Sequence, residues 1–424
     1  MIKGEFIAST ILTLLCFSLL FGIKFSFFPL ALSKLAIGYL VAMYILYTSR
    51  SKEFPVSRYF LPMLLVLMLV GVYSFIITSL KRYNDFGFVS RIIYLIHEPM
   101  LAGYLLSYYV VHIQKKDINA LFLALRNAGL LQAVLTIPAY FNDGIRQFYD
   151  AILPNIGNIK VENLVQRVRG FSNLGGAWLS CMLCISFLCT LYEMERYRNR
   201  LLNVLTIILL LFAMVVTGRT GLMVSLLAFI VYIFRWLFIG KITKTFGYII
   251  VTVGIGAFVL LQYYPELFDN VNQETIDWAF EAINSDQGVG ATRSGDNLKE
   301  MIYMPSPANN FFWGSGLYLK GTYHNPRSDS GYMKTLLAIG LFAGLLFYSI
   351  YGFIFFKVLK SYYKRNKSIF FLAGFILTAA FLVEIKEPYL QSLGFTFVVF
   401  SIFFVANSEM KEPAPKDDIR TVEI

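Results

Sequence analysis

Residues 59–80 read YFLPMLLVLMLVGVYSFIITSL, and no charged side chain interrupts them between Arg58 and Lys81. As an α-helix rising about 1.5 Å per residue, this stretch is roughly 33 Å long, enough to cross the ~30 Å hydrocarbon core of a bilayer. Comparable apolar runs recur on either side of it. They cover residues 5–22, 29–48, 92–112, 118–141, 174–192, 201–216, 221–238, 246–263, 330–356, 368–383 and 389–406. The sequence therefore predicts an all-α polytopic integral membrane protein with about 12 transmembrane helices. Residues 1–410 form a single transmembrane domain, and 411–424 form a polar cytoplasmic tail. Composition agrees: 57% of the 424 residues are hydrophobic, 15% are charged and 40 are Phe, a balance that would leave a soluble globule with too much apolar surface.

The net charge of +11 does not imply nucleic acid, because Lys and Arg cluster between the spans. With the N-terminus inside, residues 49–58, 113–117, 193–200, 235–245 and 357–367 become the cytoplasmic loops, and these hold the densest basic runs, "ERYRNR" and "KVLKSYYKRNK". Lys81, Arg82 and Arg91 are the main exceptions. Both termini fall in the cytoplasm. The first run follows a lone Lys3 and carries no small-residue cleavage site, so it reads as an uncleaved first helix. Cys16, Cys181, Cys184 and Cys189 all lie inside apolar runs and read as packing residues.

This topology leaves two long segments facing the periplasm, residues about 142–173 and 265–329, and loops of that length between packed elements usually carry function. Apolar residues at helical spacing in "FDNVNQETIDWAFEAIN" predict an interfacial helix within the second. Five arginines gather on this side: Arg167 and Arg169 in "QRVRGFSNLGG", Arg219 in "TGRTGL", Arg293 in "GATRSGD" and Arg327 in "HNPRSDSGY". Any one of them alone reads as a snorkelling interfacial Arg. Five on the face expected to be poor in charge predict an anion site, since the planar guanidinium forks onto phosphoryl oxygens and stays charged. Gly218 and Gly221 predict close backbone approach around Arg219. Ser328 or Asp329 is placed to cap the helix that follows, and His324 and Asp329 are candidate bases. Within the spans, Glu98 beside His97 and Pro99 is a buried carboxylate that needs a partner such as one of the arginines, and it is a third candidate base. Lys386 is expected to pair locally with Glu384 or Glu387, and Lys34 and Arg126 to snorkel or pair. Trp278, Trp313, Tyr318 and Tyr323 are placed to anchor at the interface or to stack on sugar rings. No P-loop, metal-ligand cluster, GxSxG elbow or dinucleotide fingerprint is present, and no metal or cofactor is expected.

"TGRTGL" closing a hairpin, followed by a long loop ending in "GSG…HNPRSDSGYMKTLLAIGLFAG", resembles the Wzy-type O-antigen or capsule repeat-unit polymerases. The resemblance implies a metal-independent inverting glycosyltransferase of the bacterial inner membrane, acting on the periplasmic face. It would transfer the growing glycan from undecaprenyl diphosphate to the non-reducing end of a new lipid-linked repeat unit, with a chain-length regulator as partner. The related O-antigen ligases carry an H-N-x-x-L type element in the same loop. Here His324 and Asn325 are followed by Pro, Arg and Ser. A lipid-linked oligosaccharide flippase is the alternative from another class, but it would be expected to line a central cavity with its cations rather than place them in outer loops.

Overall fold

The computed structural model describes residues 2–52, 56–153, 168–173, 175–196, 200–238, 301–323 and 325–409. The expected span at 246–263, the expected interfacial helix around Trp278, and Arg167, Arg293 and His324 lie outside them. Among the described residues the fold is all helix, with one isolated bridge between Lys24 and Ala31.

The helices are α1 (Ile2–Phe21), α2 (Leu32–Ser51), α3 (Phe60–Lys81), α4 (Gly87–Leu95), α5 (Leu101–Tyr108), α6 (Ile118–Phe141), α7 (Asp143–Ile152), α8 (Gly176–Arg196), α9 (Arg200–Thr217), α10 (Arg219–Phe238), α11 (Asn309–Trp313), α12 (Gly331–Tyr362), α13 (Lys367–Glu384) and α14 (Leu393–Glu409). A π turn at Ile96–Met100 joins α4 to α5, and a second at Tyr109–Ile113 extends α5. Among the described residues, α1, α2, α3, α6, α8, α10, α12 and α13 are long and apolar enough to cross a membrane, with shorter apolar stretches in α9 and α14.

α3 shows why the solvent is a bilayer. Leu61, Leu65, Met68, Leu69, Val72, Phe75, Ile76 and Leu80 are exposed, whereas the buried face holds Met63, Leu67 and Val70 together with the polar Ser74 and Thr78. A water-facing helix puts its polar residues outward; here Ser74 and Thr78 turn in, and the outward stripe is apolar until Ser79 and Lys81 at the helix end. Pro62 sits in the first turn, where no helical N–H bond is lost. Asp117 caps α6 by accepting from Asn119 N, and Asn366 caps α13 by accepting from Ser368 N and Ile369 N.

The bundle packs around two inner helices. In α8, 89% of the spanning window is buried, against 22% in α2 and α3. α6, α9 and α10 pack on α8, while α5, α12 and α1 pack on α14. One hydrophobic cluster runs from Leu12 to Ala406.

Two local features depart from the sequence reading. The segment after α6 contains a helix, α7, capped by the Asn142 side chain accepting from Ile145 N. The run expected as one unbroken helix over 330–356 breaks at Gly340, which takes φ 73°. A side chain there would meet the backbone of Phe312, Trp313 and Gly314, so only glycine admits this crossing.

Candidate functional site

Hydrogen bonds gather one end of the bundle from distant parts of the chain. Ser172 donates to Phe21 O (2.9 Å), Ser26 N to Ile152 O (2.8 Å) and Val168 N to Val216 O (3.1 Å). These bonds lay residues 168–173 across the ends of α1 and α9, next to the turn that carries Arg219. That turn sits tightly on α8: side chains at Gly218 or Gly221 would strike the backbone at Gly176 or Ser180, and Gly221 N donates to Ser180 Oγ (3.1 Å). The expected close approach is therefore present.

The segment 309–320 dips into the bundle. Lys81 Nζ reaches Asn310 Oδ1 (3.3 Å) at the end of α3, and Tyr73 OH reaches Trp313 O (2.8 Å) eight residues earlier, roughly 12 Å deeper along the helix. At the bottom Gly314 meets Gly340, and the Leu337 carbonyl accepts both Ser315 N (2.7 Å) and Ser315 Oγ (2.8 Å). A loop residue thus supplies the donor that the next turn of an unbroken helix would supply. Irregular backbone at membrane depth is tolerated only where protein groups satisfy it in this way. The chain then returns to Asp85, whose Oδ2 accepts from Tyr318 N, Leu319 N and Lys320 N at 2.7–2.8 Å while Oδ1 accepts from Gly87 N (3.2 Å). Asp85 is buried.

Behind the dip runs a buried polar chain. Tyr318 OH donates to Gln391 Oε1 (2.6 Å), Gln391 Nε2 to Thr335 Oγ1 (2.8 Å), Thr335 Oγ1 meets Tyr348 OH (3.1 Å), and Tyr348 OH donates to Glu384 Oε1 (3.0 Å). Glu384 Oε2 accepts from Leu390 N (2.8 Å), which closes the α13–α14 hairpin. Burial pushes the Tyr318 phenol up to about 12, so it stays a donor.

The charged groups line up in front of these elements. Lys386 Nζ reaches Thr220 Oγ1 (3.2 Å), beside Arg219, which is half-buried. Lys334 Nζ lies 3.6 Å from Asp329 Oδ1, and Arg327 Nε lies 3.9 Å from the same oxygen. The Arg327 and Asp329 side chains are 64% and 53% exposed. Arg169 forks onto Asp150 Oδ1 through Nε (3.0 Å) and Nη2 (2.7 Å), which offsets its charge.

Several expectations are corrected. Neither Ser328 nor Asp329 caps α12: the N-cap is Ser330, and its N–H is taken by Ser328 Oγ, while Asp329 holds the two cations. Glu384 turns inward to Tyr348 rather than outward to Lys386, because Leu390 N and Tyr348 OH satisfy it in the interior. Glu98 is buried, and among the described residues it lies beside the His97 ring (Nε2–Oε1 3.4 Å) rather than forming an ion pair with an arginine. Eleven residues along the helix from Gly87, it sits roughly 16 Å from that end of the bundle. Tyr318 is buried as a hydrogen-bond donor, whereas Trp313 and Tyr323 are exposed. Arg126 pairs as expected, donating to Asn203 Oδ1 and Asn127 Oδ1 with the Glu193 carboxylate nearby. All four cysteines are buried and unbridged. Asp85, Lys334 and Gln391 are missed by sequence reasoning. For Asp85 the available signal was a lone acidic residue, followed by Phe and Gly, in a short turn beside Lys81 and Arg82.

No family model and no curated protein matches the chain.

Proposed function

We propose that the protein is a polymerase of O-antigen or a related surface polysaccharide, working on lipid-diphosphate donors at the outer face of a bacterial inner membrane, with both termini in the cytoplasm. The observation that carries this reading is the row of cations across four elements at one end of the bundle: Arg219 of α10, Lys386 of the hairpin, Lys334 of α12 and Arg327 of the loop before it. They stand at the end of apolar helices, where the diphosphate of a membrane-anchored polyprenol would lie. Arg169, Arg167 and Arg293 are further candidates for the same anion.

In this reading the acceptor hydroxyl oxygen attacks the anomeric carbon from the face opposite the diphosphate. The C–O bond to the diphosphate breaks, its electron pair leaves with undecaprenyl diphosphate, and the centre inverts. Preorganised guanidinium and ammonium groups stabilise the charge that develops on the leaving oxygen. The hydroxyl proton passes to a carboxylate or imidazole. Asp329, exposed and beside Arg327, and His324 in the same loop are the candidates, because Glu98 lies far below the cations. The leaving group and the incoming repeat unit are both lipid-linked, and a chain-length regulator is the expected partner.

Deleting the gene and running the extracted lipopolysaccharide or capsule on a gel tests this reading. Core carrying a single repeat is the expected pattern. Core with no repeat would point to a ligase or a flippase, and an unchanged ladder would remove the glycan reading.

A further inference from the structure

The face opposite the candidate site holds a cavity that the proposed reaction does not use. It has a volume of about 110 Å³ and lies between the start of α3, the second π turn and the end of α14, with Arg58, Tyr59, Tyr104, Tyr108, His112 and Asn407 in its wall. Three observations make it a site rather than a packing gap.

The first is Asn407, only 8% exposed. Its Nδ2 donates to Phe403 O (2.7 Å), but its buried Oδ1 has no hydrogen-bond partner. A buried acceptor left unmet costs about 1–3 kcal/mol, so this oxygen calls for a donor from outside the protein. The second is a pair of cations without carboxylates. The Arg58 guanidinium lies over the Tyr59 ring at 4.7 Å and Lys357 Nζ reaches the same ring at 5.5 Å, and among the described residues neither makes an ion pair. The third is the π turn itself. It brings His112 against Tyr108 (ring centroids 4.8 Å) at the cavity wall, and π turns recur at functional sites.

Together these groups ask for an anion that also carries a hydroxyl donor. The surroundings select a lipid source. Val56 at the wall is 58% exposed, and the exposed Leu61 and Leu65 of α3 lead away from the mouth along the apolar surface of the bundle. Basic residues, among them Lys360, Arg365 and Lys367, crowd the same face, as expected beside an anionic leaflet.

We propose that this cavity binds the headgroup of an anionic, hydroxyl-bearing phospholipid of the phosphatidylglycerol class. The phosphate faces Arg58 and His112, a glycerol hydroxyl donates to Asn407 Oδ1, and the acyl chains follow Leu61 and Leu65.

The test is native mass spectrometry of the full-length protein in detergent, offered equal amounts of phosphatidylglycerol, phosphatidic acid and phosphatidylcholine. The expected result is one phosphatidylglycerol retained in preference to phosphatidylcholine. Arg58→Ala should lower that occupancy by roughly fivefold, in line with the loss of a charge-assisted contact. Asn407→Leu should weaken phosphatidylglycerol by roughly threefold and leave phosphatidic acid, which lacks the glycerol hydroxyls, unchanged. Should Arg58→Ala fail to fold, the Asn407→Leu comparison between the two anionic lipids decides alone. Equal retention of phosphatidylglycerol and phosphatidylcholine would overturn the proposal. So would an Asn407→Leu loss shared by both anionic lipids, or displacement of the lipid by micromolar glycerol 3-phosphate, which would make the ligand a soluble phosphate.

Discussion

The two ends of the bundle handle charge differently. At the end that carries the basic loops, Arg235 forks onto Glu195 (Nη2–Oε1 2.9 Å), bonds Ser368 Oγ and covers the Phe371 ring at 4.6 Å. Its side chain is 15% exposed and that of Glu195 is 5% exposed, so this is a closed pair that ties α8, α10 and α13 together. At the opposite end, by contrast, Arg327 Nε lies 3.9 Å from Asp329 in an exposed pair that Lys334 Nζ joins at 3.6 Å, and Lys386 Nζ reaches Thr220 Oγ1 of α10. Charge that is buried and locally neutralised fixes helices in place. Charge that is exposed, as at Arg327, is held only weakly by its partner and remains available to an anion. That end is nonetheless not loose, because its backbone is fastened by Asp85, Tyr73 and the Gly314–Gly340 crossing.

This contrast can be broken in several places. The largest effect is expected at Asp85→Ala, which strips the acceptor from three backbone N–H groups of residues 318–320. At about 1–3 kcal/mol for each donor left without a partner, a loss of roughly 4 kcal/mol or more follows, read as a fall in thermal stability in detergent. Gly340→Val comes next. Its φ of 73° is strained for a β-branched residue and the Phe312–Gly314 backbone occupies the side-chain space, so a cost of roughly 3 kcal/mol is expected in the same measurement. Arg235→Ala leaves Glu195 buried without its cation. It should destabilise by roughly 2–3 kcal/mol while polymer made by the folded fraction keeps its chain-length distribution. Arg327→Ala should do the reverse: its exposed pair is worth less than about 0.5 kcal/mol, so the melting curve should barely move while the polymer ladder shortens or disappears. If Arg235→Ala and Arg327→Ala behaved alike, the distinction between the two ends would not hold.

How much of this was legible in the sequence depends on the range of the interaction. Where apolar length sets an element, the sequence locates it. α6 falls at residues 118–141, as expected, and α3 is displaced by one residue from the stretch at 59–80. The fourth span begins at Gly87 rather than at residue 92, since its start is set by the turn at Asp85 and not by hydropathy. The glycines of "TGRTGL" announce their close approach because the Arg219 turn is tight whatever it packs against. Asp85 and the carbonyl of Trp313 carry no such local mark, as their partners lie more than two hundred residues away in the chain. The same holds for the break at Gly340, which looks in sequence like any small residue in a membrane helix. Among the candidate site residues, Arg219, Arg327 and Asp329 could be named from their place in the outer loops. Which cations share a carboxylate is decided only by how α10, α12 and the α13–α14 hairpin pack.

The central claim is that the outer-end cations hold the diphosphate of a lipid-linked glycan, and Arg219 tests it most directly. The gene is deleted in its host, complemented with Arg219→Ala at matched protein level in the membrane, and the surface polysaccharide is resolved by chain length. Losing one preorganised cation in the transition state costs roughly a hundredfold in rate, so the account predicts that the ladder collapses to core plus single repeats. A full ladder of unchanged length and yield would contradict it.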